Sequence, residues 1–279
     1  MGPTNPFSRD PDAQHNILAY KIFTLISFLL SFVTAIVYTH SPPLDGSYTN
    51  GTIFGISNLH VTPFTQSHVF VSIYWIVLYI LQVGYIWHLF SGNEAHVKAA
   101  ASVGSHFILF NLLHFAWIML WCRSHFFLSE VVQVIQFLQL TALYLRHSTL
   151  PRWIHTPVVA MPLTFTFFLV VWNGAVMVHC HDLICRILAN IAIWGIVVYA
   201  GFFLAVFKDW HVGFATAFLS AGLGVGQFFT KTIALQWPFA FAIMSIVFVS
   251  TCAVAFPEVF GASEAREGGE RAPLLREDA

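Results

Sequence analysis

Eight stretches of about 20 mostly apolar residues dominate this chain, each long enough as a helix to cross a hydrocarbon layer about 30 Å thick. They fall at 17–39, 67–90, 101–122, 126–145, 157–178, 184–207, 213–229 and 232–256. An unpaired backbone N–H or C=O is prohibitively costly in hydrocarbon, so each stretch must close its hydrogen bonds internally. The expected fold class is therefore all-α, a polytopic transmembrane helical bundle of about eight spans. Only 9% of the 279 residues are charged, against roughly 25% in soluble domains, too few to build a water-facing shell. Twelve Lys plus Arg against thirteen Asp plus Glu leave no basic field, which excludes a nucleic-acid partner. The lipid bilayer is the expected partner.

The seventh stretch is short and carries Gly213, Gly222, Gly224 and Gly226, so it can also be read as a tilted or re-entrant segment. Positive charge decides between the two readings, because Lys and Arg accumulate on the cytosolic side. With eight crossings and the N-terminus inside, nine of the twelve basic residues are cytosolic and only Arg123, Arg186 and Lys231 are outside. Eight crossings with both termini cytosolic is the expected topology. The domains are then a disordered cytosolic tail at 1–16, a membrane domain at 17–256 and a disordered cytosolic tail at 257–279. Residues 1–16 carry Pro3, Pro6, Pro11, Arg9 and Asp10 and no apolar core, so the first span is expected to act as a signal anchor.

The long loop 40–66 contains the sequon Asn50-Gly51-Thr52, a glycan acceptor if it faces a secretory lumen. In the C-terminal tail, Glu270 followed by Leu274 and Leu275 resembles an acidic dileucine sorting signal, which a clathrin-type adaptor reads on a cytosolic tail. That resemblance implies an endomembrane, vacuolar or endosomal, with the ER also possible. The outer mitochondrial membrane is the alternative.

Ionisable groups within spans are costly and are functional candidates by default. Glu130 lies one turn into span four and Arg123 ends span three, which suggests an ion pair across the hairpin. On span three, Ser102, His106, His114, Trp117 and Trp121 fall on one helical face, and span four adds Gln133, Gln136 and Gln139. A polar, aromatic-lined interior is expected there, either a binding cavity or a self-satisfied network. His179-Cys180-His181-Asp182 with Cys185 gathers metal-type side chains, but its spacing matches no known zinc pattern. A disulfide among Cys122, Cys180 and Cys185 is the alternative. His88 and His106 lie at similar depth but set no haem pattern. No cofactor and no resident metal are expected. No nucleophile–base pair is legible either, so an enzyme is not expected.

The run Phe70 to Leu89, with Trp75 three residues before Leu78-Tyr79, resembles the second span of the tryptophan-rich sensory protein and translocator protein family. Asn111, Trp117 or Trp121, Phe126-Phe127 with Glu130, Pro162 and Trp172-Asn173 follow in a similar order. The likeness covers 17–178 and departs from the family where Pro162 is followed by Leu163 rather than tyrosine. As a whole, the chain resembles an uncharacterised fungal family of multi-spanning membrane proteins through SIYWIVL, VGSHFIL, NLLHFAWIMLW, ILANI and GVGQF. The expected function is binding of a small amphipathic ligand, of the sterol or tetrapyrrole class, by Trp75, Tyr79, His106, Asn111, His114, Trp117, Trp121 and Glu130. An endomembrane transporter of a small solute or metal and a ligand-free scaffold are the alternatives.

Overall fold

Hydropathy and backbone hydrogen bonding dictate the architecture directly. The computed structural model describes residues 14–45, 50–146, 150–180, 182–233 and 235–270. Among them, eight helices are long and apolar enough to cross a membrane. The first is α1 (Gln14–His40); a short α2 (Ile53–Leu59) precedes α3 (His68–Leu89), and α4 (Glu94–Ser102) precedes α5 (Gly104–Trp121) and α6 (Phe126–Arg146). Span five joins α7 (Arg152–Ile154), a π-helical segment (His155–Ala160) and α8 (Met161–Val178). Span six joins α9 (Leu183–Ala192) to α10 (Gly195–Val206); α11 (Trp210–Thr230) and α12 (Gln236–Glu270) complete the set.

Contacts between distant segments show the spans alternating in direction. At one end, Trp121 Nε1 donates to Ile53 O at 3.0 Å, and Gln227 Nε2 donates to Thr62 O and Thr65 O, both at 2.9 Å. At the other end, the Gly104 backbone packs on the Tyr20 ring and Tyr144 meets Asp209. Gly213, early in α11, faces Thr251, late in α12. The first and last spans therefore begin and finish at the same end of the bundle. We call it the α4 end, and its opposite the α2 end.

The glycine-rich seventh span is a full helix of 21 residues rather than a re-entrant loop. It is among the most enclosed spans, and its small residues explain why. A Cβ on Gly226 would fall 2.7 Å from Ser67 N and Thr65 O, so only glycine lets the loop before α3 lie on α11. Ser67 N donates to Gly222 O at 3.0 Å across the same contact. Close helix approach is the usual use of such residues in membranes.

Three expectations need correction. Arg123 does not pair with Glu130: its Nε donates to Asp45 Oδ2 at 2.5 Å, because the long loop folds back over the α2 end. Glu130 instead accepts from Asn173 Nδ2 at 2.8 Å. Ser102 is not on the α5 face, because Val103 separates α4 from α5 and Ser102 Oγ turns back to Ala99 O. The last helix does not stop at 256; its backbone stays helical through Pro257 to Glu270. Of the three thiols weighed for a disulfide, Cys180 and Cys185 are bonded, and Cys122 is buried and free. The N-tail to residue 13, His181, Leu274 and Leu275 lie outside the described residues.

Candidate functional site

A cavity of about 560 Å³ opens between α1 and α3 and reaches inward to α5 and α8. This lies within the roughly 300–1,000 Å³ usual for small-molecule sites. Its mouth is rimmed by Ile36, Ile76 and Ile80, which are 46%, 58% and 65% exposed. On a bundle whose outer face is apolar, that exposure places the mouth on the lipid-facing surface. The wall beyond it is mainly apolar and aromatic.

Helical spacing builds the wall. Trp75 and Tyr79 sit four residues apart on α3, and His114 and Trp117 three apart on α5, so each pair shares a face. The Trp75 and His114 rings stack at 4.3 Å and 23°. Phe165 of α8 meets Trp75 edge-on at 4.8 Å, and Phe32 of α1 meets Tyr79 edge-on at 5.0 Å. Within this wall His114 Nδ1, Trp117 Nε1 and Trp172 Nε1 are buried with no hydrogen-bond partner among the described residues. The Tyr79 hydroxyl lies beside Ser31, but the two do not meet hydrogen-bond geometry. A buried polar atom without a partner costs about 1–3 kcal/mol, so a ligand group that met one of these atoms would recover part of that cost.

The structure thus brings Trp75, Tyr79, His114 and Trp117 to one cavity and sends the other four candidates elsewhere. His106 turns to α6, where Gln139 Nε2 donates to its carbonyl at 3.0 Å. Asn111 is buried and donates to Phe107 O within its own helix. Trp121 is buried behind Trp117, at 5.8 Å between ring centres, and clamps α2. Glu130 and Asn173 join α6 to α8, with Ser129 Oγ donating to Asn173 Oδ1 at 2.5 Å. Trp172, Phe165 and Phe32 complete the cavity, and Trp172 was legible as part of the Trp172-Asn173 pair. Asn50 Nδ2, the sequon nitrogen, donates to the Asp45 carboxylate.

At the α4 end lies a polar cluster that sequence reading missed. Asp209 caps α11, its Oδ1 accepting from His211 N at 2.9 Å and Val212 N at 3.3 Å. Its Oδ2 accepts from the Tyr144 hydroxyl at 2.9 Å and lies 2.7 Å from His155 Nε2. His211 Nδ1 stands 3.4 Å from Oδ1. Burial raises the Asp209 pKa, but the hydrogen bonds from His155, His211 and Tyr144 outweigh it and hold the carboxyl well below its usual range. Pro157, which lacks the N–H an α-helical turn needs, lies in the π-helical segment that begins at His155. The Met161 N–H donates to Thr156 O, and Pro162, next in that pattern, has no N–H for Pro157 O; Gln82 Nε2 donates to that carbonyl at 3.3 Å. The available signal was Asp209 directly before Trp210-His211 at a span start, an N-cap followed by a histidine. Its partners lie 54 and 65 residues away, so no local pattern connects them.

Residues 186–275 match a family model described as "Fungal protein of unknown function (DUF1774)". Among curated proteins, "Uncharacterized protein C637.03" of Schizosaccharomyces pombe (strain 972 / ATCC 24843) is 31% identical over 116 residues. That alignment covers 40% of this chain and 42% of the relative, so the chain spans about two fifths of the length of the protein it matches. No solved structure matches. These findings support kinship with an uncharacterised fungal family. Asp209 and His211 fall inside the matched region; the residues lining the α1–α3 cavity fall outside it.

Proposed function

We propose that this integral membrane protein binds a small amphipathic molecule, of the sterol or tetrapyrrole class, in the cavity between α1 and α3. One observation carries the reading: the cavity mouth is rimmed by outward-facing isoleucines, while its wall holds buried aromatic and imidazole rings with unmet polar atoms. A ligand arriving from the bilayer would bury an apolar body against Trp75, Phe32 and Phe165. Its hydroxyl, carbonyl or carboxylate would face the His114, Trp117 and Trp172 region after small side-chain adjustments. Aromatic faces suit flat fused rings. The resemblance to the translocator protein family over 17–178 points to the same ligand class and includes Trp75. Purified protein in detergent, screened against sterols, porphyrins and phospholipids, is expected to melt at a higher temperature with a sterol or porphyrin. A flat response across all three would refute the reading.

Binding is preferred to transport because the interruption in span six, between α9 and α10, falls at the apolar Ile193 and Trp194. A solute pathway would need polar groups or helix ends aimed at a cargo at that depth. The end at which α1 begins and α12 finishes is read as cytosolic, from the nine-to-three bias of basic residues. On that reading the tail residues Glu270, Leu274 and Leu275 are available to an adaptor, and the protein resides in an endomembrane.

A further inference from the structure

We propose that His155, Asp209 and His211 form a binding site for a divalent first-row transition metal ion, zinc in the first instance, at the α4 end of the bundle. This goes beyond the amphipathic-ligand cavity and is independent of it. Two imidazoles and one carboxylate from two separate segments, the start of span five and the turn into span seven, converge on one point. Their ligand atoms all lie within 4.8 Å of one another. Two of the nitrogen-to-oxygen separations are 2.7 and 3.4 Å. A tetrahedral ion with bonds of about 2.0–2.1 Å sets its ligands roughly 3.3 Å apart. The 2.7 Å pair would have to open and the wider ones close slightly for the site to take an ion, movements on the scale of side-chain adjustment.

Two further observations favour a metal over a simple hydrogen-bonded clamp. Outer partners already fix the ligand groups, as metal sites require: the Tyr144 hydroxyl donates to Asp209 Oδ2, and the Trp210 ring stacks on His211 at 3.6 Å and 22°. In addition, His211 lines a cavity of about 510 Å³ shared with Thr156, Trp210 and His88. Of the three ligands only His211 lines that space, so an exogenous fourth ligand such as water would approach from its side. The His2Asp set is a mixed nitrogen–oxygen site of the kind that holds zinc, cobalt or iron. On binding, His155 would offer its Nε2 lone pair to the ion as the neutral Nδ1–H tautomer, replacing its hydrogen bond to Asp209 Oδ2.

The test uses tag-free, full-length protein stripped with chelator and titrated with Co²⁺, which reports low-coordinate geometry by visible absorption. One Co²⁺ per chain with an intense band, quenched by Zn²⁺, is expected. His155→Ala and His211→Ala should each weaken binding by more than the roughly 10- to 100-fold that loss of an outer partner costs. Asp209→Asn retains an acceptor for the α11 cap; it is expected to stay monodisperse and lose the band. Tyr144→Phe should bind about tenfold more weakly. Monodisperse wild-type protein that binds neither ion, or a band that survives all three ligand substitutions, would overturn the proposal. A sterol or porphyrin response bears only on the other cavity, and Trp75→Ala should leave the cobalt band unchanged.

Discussion

His114 is 2% exposed, stacked on Trp75, and carries an Nδ1 with no partner among the described residues. Replacing it with phenylalanine keeps the ring and the stacking but removes a buried polar atom that costs about 1–3 kcal/mol. His114→Phe is therefore expected to melt at or above the wild-type temperature without ligand, while its sterol or porphyrin affinity falls about tenfold, near the 1.4 kcal/mol scale of one hydrogen bond. Thermal melting with and without ligand separates the two effects; a loss of stability with unchanged affinity would make His114 a packing residue. At this scale the sequence was informative for rings and poor for partners. His114 and Trp117 follow from helical spacing on one span, and Trp75 and Tyr79 from the resemblance of the preceding span to the translocator protein family. His106 lies on the same helix as His114 but two turns nearer the α4 end, where Gln139 takes it. Asp45 outcompetes Glu130 for Arg123 because the loop after α1 folds back, a long-range event that no local spacing encodes.

Among the elements, the loops at the α2 end carry the pH-sensitive contacts. His60, the residue that ends α2, lies at 4.8 Å from the Phe126 ring and 6.0 Å from the His179 ring. Burial first, and then the neighbouring His179, lower the His60 pKa below its ordinary 6.5. A lowered folded pKa means that the folded state favours neutral His60. Its contribution is complete above pH 6.5 and is lost as pH falls through the lower folded value. Melting temperature is accordingly expected to drop between about pH 7.5 and about pH 5, in the range where histidine titrates, and His60→Gln should flatten that drop. Parallel curves for the two proteins would rule out His60 as the source. The spans themselves were legible because hydropathy and length fix them; boundaries agree to within a few residues for most, such as 184–207 against Leu183–Val206. The early start of span five at Arg152 was not legible, since Pro157 reads as a helix boundary and instead lies within a π-helical segment. The small residues of α11, spaced at four-residue intervals, read as a surface for close backbone approach, and the 62–67 loop rests on it.

Across the whole molecule, eight alternating spans bring the beginning of α1 and the end of α12 to one end of the bundle, and the polar Tyr144–Asp209 cluster lies at that same end. If that end is cytosolic, the tail from Glu270 onward is exposed to adaptors, and deleting 270–275 should shift a fluorescently tagged protein from internal membranes to the cell surface. An unchanged distribution would remove the sorting role of Glu270, Leu274 and Leu275. The proposed ligand cavity lies instead in the α2-end half of the bundle on its apolar outer side, where α1 packs mainly on α5 and leaves a slot beside α3. The most direct measurement of that site is photolabelling of membranes with a diazirine sterol, followed by peptide mapping. Label is expected on the α1 and α3 peptides around Phe32–Ile36 and Trp75–Ile80, competed by unlabelled sterol and lost in the cavity-filling variant Ala35→Trp. Label spread evenly over the lipid-facing helices, insensitive both to competitor and to Ala35→Trp, would contradict a binding cavity there.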